Sequence, residues 1–329
     1  CAPPWLPPTV TCANRCVLSV QAMAAAAATI LAVGRAAALP LPFSDPQNVN
    51  GWELYAPLTD EFDELDLDFG KWSVDYRAWA GRPPGLFDAS NVQLINGSLT
   101  LWARAATRNE TWPPGYNNFT TSALHSVART SNGYFELRSR SGSSAISSSW
   151  WFHFNDGEGT WTEIDIFESM GSDAPQAAGR NSSMFCSHTH IFSLAGVEFE
   201  DLPAKCGCII SNGGAASNRR LEDTPSCSLG GCRDGPFALD AGFHVFGLEW
   251  NASSVGIYVD AIPVVSFPAK CLSQPIQMDI DRETMPDWMG LPAADQLPDQ
   301  PFEVDYVRAW KKQGGPPGAV GARRTQLVR

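Results

Sequence analysis

The sequence predicts an all-β fold in which two antiparallel sheets pack face to face as a sandwich. After residue 50, apolar residues alternate with polar ones in short runs, separated by glycine, proline, asparagine and aspartate. A period of two is typical of half-buried strands, and no helical period of 3.6 persists in this part of the chain. With 44% hydrophobic and 11% aromatic residues, the 329-residue chain can bury the core that such a sandwich needs.

The segment over residues 160–168 combines a buried strand with three acids. Glu163 and Asp165 share one strand face, while the isoleucines beside them pack behind. Simple alternation would place Glu168 on the opposite face. A β-bulge between Asp165 and Glu168 would return it to the same side, so we predict a bulge and a row of three carboxylates.

Such a row suits a retaining glycosidase, in which two carboxyls about 5–5.5 Å apart act as nucleophile and as acid/base. In this interpretation Glu163 attacks the anomeric carbon, and Glu168 protonates the leaving oxygen and later deprotonates water. Asp165 lies between them, where it raises the pKa of a neighbour or orients Glu163 through a shared proton. The alternatives are a solvated acidic edge strand and a cation site, and the surrounding apolar residues argue against both.

The motif Glu-Ile-Asp-Ile-Phe-Glu, residues 163–168, resembles the Glu-x-Asp-x-x-Glu signature of glycoside hydrolase family 16. Further segments resemble strands of that family in the same order, namely 58–63, 91–103, 132–138, 243–250, 256–260 and 302–310. The resemblance extends from about Trp52 to Lys312. It implies a concanavalin-like jelly roll of two curved antiparallel sheets with a concave substrate cleft.

Within the family, the chain resembles the agarase, porphyranase and carrageenase branch at residues 79–87, 185–190 and 279–292. That likeness implies a tryptophan that stacks on a sugar, a glutamate that accepts from a hydroxyl, and a histidine near the cleavage point. Arginines 77 and 82 are expected to hold a sulfate or a carboxylate. The expected substrate-binding residues are Trp79, Arg82, Trp151, His188, His190, Glu283 and Trp288.

Several of these residues have a structural alternative. Trp79 would cap the core, and Trp288 would plug one end of the sandwich. Trp150 and Trp151 are adjacent and face opposite sides, so one belongs to the core. The resemblance to the family's Ala-Phe-Trp-Leu strand implies that Trp151 lies in the cleft. Of the two histidines, we expect one to point inward as a structural residue.

The family resemblance also implies one structural calcium ion on the convex face, bound by Asp305 of the closing strand and by backbone carbonyls. The alternative is that Asp305 only accepts hydrogen bonds at its strand. No cofactor is expected to take part in catalysis.

Charge and composition restrict the partners. The net charge of −12 and the lack of a basic patch argue against nucleic acid. An acidic surface also disfavours a heavily sulfated substrate, because it repels polyanions. Twelve tryptophans suit stacking on sugar rings. We expect a polysaccharide substrate, a monomer and no membrane insertion.

Three regions are predicted along the chain. Residues 1–39 read as a leader, because an alanine-rich apolar run from Met23 ends in a small-residue cleavage site. Within it, residues 1–22 are interpreted as upstream sequence joined to the gene in error, and the apolar run is too short to span a bilayer. Residues 40–312 form the catalytic domain, and residues 313–329 form a flexible tail. The leader predicts a secreted, extracellular protein.

Six cysteines follow the leader: Cys186, Cys206, Cys208, Cys227, Cys232 and Cys271. An even count in an exported chain predicts disulfides, whose pairing the sequence leaves open. Zinc is the alternative, but the Cys-x-Cys and Cys-x4-Cys spacings are poor for a finger. We therefore favour a stapled insertion over about residues 193–236. Sequons that predict glycosylation occur at Asn96, Asn109, Asn118, Asn181 and Asn251.

Together these observations predict a secreted, retaining endo-β-glycosidase that hydrolyses a cell-wall or algal-matrix polysaccharide. A β-1,4-linked galactan, as for agarases, is the first expected substrate. The alternatives are a β-1,3-glucanase of the same family and a jelly-roll lectin without turnover. A lectin needs no nucleophile, so the retained acids argue against it. Hydrolysis and transglycosylation stay open, since both use the same residues.

Overall fold

The computed structural model describes residues 39–312, except residues 75, 77, 78, 108, 174–180, 212–224 and 288. Within these residues the chain is built mainly from strands, which confirms the predicted all-β class. The expected leader over residues 1–38 and the expected tail over residues 313–329 lie outside the described residues, as do Arg77 and Trp288.

The described residues form eighteen strands and one short helix. In chain order the strands are β1 Trp52–Leu54, β2 Trp72–Ser73, β3 Gly85–Phe87, β4 Val92–Ile95, β5 Ser98–Leu101, β6 Arg104–Ala105, β7 Phe119–Thr130, β8 Gly133–Arg140, β9 Ser148–Asn155, β10 Trp161–Ser169, β11 Met184–Ser193, β12 Ile209–Ser211, β13 Ser226–Asp234, β14 His244–Trp250, β15 Ser254–Val259, β16 Ile262–Pro268, β17 Ile276–Arg282 and β18 Phe302–Lys312. The helix is α1 Leu202–Cys206, and the 3-10 turns are Ala56–Leu58, Ala89–Asn91, Phe199–Asp201 and Ala294–Gln296. Among the described residues, no helix is long and apolar enough to cross a membrane.

The strands form two sheets. Among the described residues the first has eight strands, in the order β16-β15-β14-β8-β18-β5-β4 with β1 added beside β18. The second has ten, in the order β12-β13-β11-β10-β9-β17-β7-β2 with β3 and β6 beside β7. All pairs are antiparallel except β3 with β7. Strands distant in sequence become neighbours, as a jelly roll requires.

The core lies between the two sheets. Inward-facing residues of the first sheet, such as Leu137 and Phe246, share one buried cluster with Phe152, Ile164 and other residues of the second. Each such side chain contributes about 1.5–3 kcal/mol by leaving water. The opposite face of the second sheet is left for the cleft, and that face carries the acids of β10.

The insertion extends the second sheet. Its strand β13 pairs with β11 along eight residues, from Met184 opposite Asp234 to Ile191 opposite Cys227. All six cysteines form disulfides, Cys186–Cys232, Cys206–Cys271 and Cys208–Cys227. This confirms the prediction of disulfides rather than zinc. The bridges fix the insertion to β11 and to the chain before β17, so β13 can contribute to the cleft.

Candidate active site

The three acids of residues 163–168 lie on β10, near the middle of the second sheet. Pairing with β9 and β11 is regular from Glu163 to Asp165, and the register shifts before Glu168. This shift confirms the predicted bulge. The extra residue sends Phe167 into the core, where its ring centroid lies 4.1 Å from that of Phe246. Glu168 thereby returns to the face of the other two acids.

Burial and mutual repulsion change the pKa values along this row. Burial, followed by the charge of Asp165, raises the pKa of Glu163 to about 8. Burial and then Glu168 raise the pKa of Asp165 well above its ordinary value. Burial also acts to raise the pKa of Glu168, but His188 and Arg82 outweigh it, so this pKa lies below its ordinary value. The free row thus holds a proton that Glu163 and Asp165 share, and Glu168 is ionised.

His188 and His190 both face the acids. The register of β11 is unbroken between them, so the two residues share a face. His190 Nε2 lies 3.3 Å from Asp165 Oδ2, and His188 Nδ1 lies 3.7 Å from Glu168 Oε2. The prediction that one histidine points inward is therefore wrong. It required an irregular strand, whereas β11 is regular and residues two apart face the same side.

Strand β13 of the insertion supports this histidine wall. Ser226 Oγ and Ser228 Oγ lie 3.2 Å and 2.9 Å from His190 Nδ1. Gly230 is the partner of His188 in the sheet, and a Cβ atom at Gly230 would lie 2.4 Å from His188 Cδ2. Only glycine leaves room for the ring at this position. The insertion therefore shapes one wall of the site.

A second polar group lies on the other side of the acids, on β9 and β17. Trp151 Nε1 donates to Asp281 Oδ2 at 2.7 Å, and His153 Nδ1 lies 2.7 Å from Asp279 Oδ2. Burial acts to lower the pKa of His153, but Asp279 outweighs it and holds this pKa above its ordinary value. The imidazolium favoured in this way acts to lower the pKa of Glu163 and so stabilises its carboxylate.

Comparisons with known proteins agree with this geometry. A family model described as "Beta-porphyranase A-D, GH16 domain" matches residues 52–204. Beta-porphyranase B of Zobellia galactanivorans is 26% identical over 82% of this chain and 88% of its own length. Beta-porphyranase D of the same organism is 27% identical over 79% of this chain, and the match spans 61% of that relative. These matches support the resemblance of the chain to glycoside hydrolase family 16, in its porphyranase branch.

Solved structures support the family 16 fold. The crystal structure of porphyranase B from Zobellia galactanivorans has a TM-score of 0.63 at 22% identity, over 79% of this chain and 92% of that chain. The laminarinase catalytic domain from Thermotoga maritima has a TM-score of 0.60 at 18% identity, over 80% of this chain and 100% of that chain. A porphyranase and a laminarinase thus share the fold, which does not by itself decide the substrate of a family 16 chain.

Of the residues expected to bind substrate, two tryptophans meet beside the acids. Trp150 is buried in the core, and Trp151 is half-buried on the cleft face, as the family resemblance implied. Trp79 lies edge-on to Trp151 with 5.9 Å between ring centroids, and also contacts Phe87. Because it is half-buried, Trp79 presents part of its ring to the cleft rather than only capping the core.

Arg82 and Glu283, each expected to bind substrate, lie together in this site. Arg82 NH2 is 3.2 Å from Glu283 Oε1, and Glu283 is nearly fully buried. The pair therefore presents a guanidinium whose charge is partly balanced.

Sequence reasoning missed several cleft residues. His153, Asp279 and Asp281 were not singled out, although two-residue spacing links them to Trp151 and Glu283. Two aromatic residues were missed as well. The rings of Trp161 and Phe192 stack at 4.2 Å, and Phe192 stacks on His190 at 5.6 Å. They extend the histidine wall along the cleft.

The surroundings of Asp305 do not fit a calcium ion. Asp305 Oδ2 accepts from Arg138 NH1 at 2.7 Å, so a guanidinium already supplies the positive charge. Calcium takes six to eight oxygen ligands, and a cation beside one of them opposes binding. In the described part of the chain, the one group of three His, Cys or acid side chains spaced to hold a metal ion excludes Asp305. The mechanism therefore derives no step from calcium.

Proposed function

We propose that this chain is a retaining endo-hydrolase of a β-1,4-linked galactan of the agarose and porphyran type. The observation that carries the proposal is the row of Glu163, Asp165 and Glu168 on one face of β10, completed by the bulge. The porphyranases among the relatives favour a galactan over a glucan. Three disulfides favour a protein that works outside the cell. We propose that it acts there as a monomer on a polymeric substrate.

In the first step, Glu163 attacks the anomeric carbon as a carboxylate. Substrate binding moves the proton that Glu163 and Asp165 share to Glu168, and His153 stabilises the negative charge left on Glu163. The bond from the anomeric carbon to the leaving oxygen breaks as the bond to Glu163 forms. Glu168 gives its proton to the leaving oxygen, so the shortened chain departs as an alcohol.

In the second step, Glu168 accepts a proton from water, and the resulting hydroxide displaces Glu163 from the sugar. Two inversions at one carbon retain its configuration. The row returns to its starting protonation, because the proton that Glu168 lost to the leaving group is replaced from water.

Aromatic walls on both sides of the acids suit a sugar chain. Trp79 and Trp151 line one side, and Trp161 with Phe192 extends the other. Ring faces bind the apolar face of galactose, and the acids and histidines between the walls meet its hydroxyls. Arg82 offers one contact to a sulfate ester, which makes porphyran and agarose the two galactans to compare.

Release of reducing ends from agarose, porphyran, carrageenan, laminarin and mixed-linkage glucan tests the proposal. Glu163→Gln is the control and should lose activity by a factor on the order of 10⁴ or more, since no other carboxyl can form the glycosyl intermediate. It should unfold at the same or a higher temperature, because it removes a buried acid from a row of acids. Cleavage of laminarin alone would make the chain a glucanase. Binding without cleavage of any polymer would make it a lectin.

Glu168→Ala separates the two catalytic roles. Activity on the polymer should fall by about 10²–10⁴-fold, the usual contribution of a general acid. A glycoside whose leaving group needs no proton should form the intermediate at nearly the native rate. A fluorinated glycoside with such a leaving group should leave a label on the peptide that contains Glu163. A label on Glu168, or equal losses on both substrates, would reverse or refute the assignment.

A further inference from the structure

We propose that Asp165, His188 and His190 form a binding site for a transition-metal ion of the zinc and copper class, which competes with the substrate. Each residue offers one ligand atom, and these atoms lie within 4.8 Å of one another. The site requires no catalytic activity, so only the competition rests on the function proposed above. The ion would act as an inhibitor rather than as a cofactor.

Two of the ligands already have the spacing of a metal site. A tetrahedral zinc ion with bonds of about 2.0–2.1 Å holds its ligand atoms about 3.3–3.4 Å apart. His190 Nε2 and Asp165 Oδ2 are 3.3 Å apart. A small rotation of the His188 ring completes the third contact, because its ligand atom is within 4.8 Å of the other two.

The surroundings of the histidines favour ligation. His190 Nδ1 lies within hydrogen-bond distance of Ser226 Oγ and Ser228 Oγ. When Nδ1–H donates to a serine, the lone pair of Nε2 points toward Asp165, and such an outer contact accompanies most histidine ligands. His188 Nδ1 is buried and finds no hydrogen-bond partner among the described residues. Its approach to Glu168, at 3.7 Å, is longer than a hydrogen bond.

The donor set selects the class of ion. Two imidazoles and one carboxylate suit zinc, copper or nickel, whereas calcium and magnesium prefer oxygen ligands alone. Three protein ligands leave a coordination position open to water. An ion here would hold Asp165 between Glu163 and Glu168 and lie where the sugar must pass, so binding of ion and sugar should exclude each other.

The test is calorimetric titration of the full chain with zinc chloride in a non-chelating buffer, with cobalt absorption as a second probe of coordination. The native chain should bind one tight zinc ion. His190→Ala and His188→Ala should each weaken binding by at least about 10-fold, and Ser228→Ala by about 10–100-fold as an outer-contact change. His244→Ala is the matched control, since His244 also has a carboxylate partner, Asp260 at 2.9 Å, but lies on the other sheet.

Saturation with a galactan oligosaccharide should raise the apparent dissociation constant for zinc. The absence of a tight ion, or equal zinc affinity in the native chain and both histidine variants, would overturn the proposal. So would an equal loss in His244→Ala, because the ion would then bind elsewhere. Zinc binding without cleavage of any polymer would uphold the metal site and refute the hydrolase, so the two failures are distinguishable.

Discussion

The acid row keeps a proton near neutral pH that an ordinary carboxyl would have lost. Asp165→Asn is expected to lower the pKa of Glu163 and so to release this proton at lower pH. The pKa of Glu163 is about 8, raised first by burial and second by the charge of Asp165. Asparagine has nearly the same shape as aspartate but carries no charge. In this variant only burial and the more distant charge of Glu168 would still raise the pKa of Glu163.

The size of the change follows from the spacing of residues on a strand. Glu163 and Asp165 lie two residues apart on one face and are hydrogen-bonded through their side chains, so the centres of their carboxylate charges are about 5 Å apart. At an effective dielectric constant of about 20, unit charges at that distance repel by about 3 kcal/mol. With 1.36 kcal/mol per pKa unit, this amounts to about 2 units. The pKa of Glu163 should fall from about 8 to about 6.

The pH dependence of kcat/KM measures this change. A carboxyl with a raised pKa keeps its proton below that pKa, so activity should fall above about pH 8 in the native enzyme and above about pH 6 in Asp165→Asn. The assay is reducing-end release with a chelator present, which keeps metal ions from the acids. Carbon-13 NMR titration of labelled glutamate carboxyls gives the same pKa without substrate.

Asp281→Asn is the control for this experiment. Asp281 is also a buried acid with a pKa raised well above its ordinary value, by burial and then by Glu283. Asp281 lies on β17, where it accepts a hydrogen bond from Trp151 of β9, and it does not adjoin Glu163 on β10. The alkaline limit should therefore stay near its native value of about 8. If the alkaline limit of kcat/KM is unchanged in Asp165→Asn, or shifts equally in both variants, Asp165 does not set the pKa of Glu163.

Two further predictions concern the histidine wall and its aromatic extension. Gly230→Ala should lower kcat/KM, because its Cβ would lie 2.3 Å from Ser187 O and 2.4 Å from His188 Cδ2 and so displace the β11 strand and the His188 ring. Gly231→Ala meets open space at a similarly positive φ. The measurements are kcat/KM and the unfolding temperature of both variants. Equal losses of kcat/KM in the two variants would mean that backbone strain, and not the contact with His188, causes the effect. Trp161→Ala should raise KM by about 2–10-fold with little change in kcat, since one aromatic contact is worth about 0.5–1.5 kcal/mol. An unchanged KM on long oligosaccharides would remove Trp161 and Phe192 from the binding surface.

The acid row was predictable because its signal is local. Isoleucines at every second position fix which face of β10 is buried, and Glu168 then departs from the alternation by one residue. A bulge is the smallest change that returns an acid from the core, where its charge would be costly, to the cleft. Such a conflict between burial and periodicity can be read from nine residues.

The partners of the acids were less predictable because they depend on strand order. His153 meets Asp279 only because β17 lies between β9 and β7, although it follows both by more than 100 residues. The same holds for Arg82 and Glu283, which are distant in sequence and paired in space. Strand alternation gives the face of each residue, whereas the neighbour across the sheet follows from the whole topology.

In the insertion, too, the local features were predictable from the sequence and the contacts across the sheet were not. Its cysteines predicted disulfides, but the pairing of Cys186 with Cys232 follows from the register of β11 and β13. That register also brings Ser228 to His190 and Gly230 to His188. Neither contact has a local signal, since serine and glycine are common in loops as well as in strands.

The lowered pKa of Glu168 is compatible with its role as the acid. A row with one proton on Glu163 and a row with that proton on Glu168 contain equal numbers of protons, so both show the same pH dependence. What favours Glu163 in the free site is the contact of His188 with Glu168 at 3.7 Å, which lowers the pKa of Glu168. A sugar bound against His188 would weaken this contact, while His153 continues to stabilise the carboxylate of Glu163. We therefore expect substrate binding itself to move the proton to Glu168, which places the acid beside the leaving oxygen only when a bond is there to be broken.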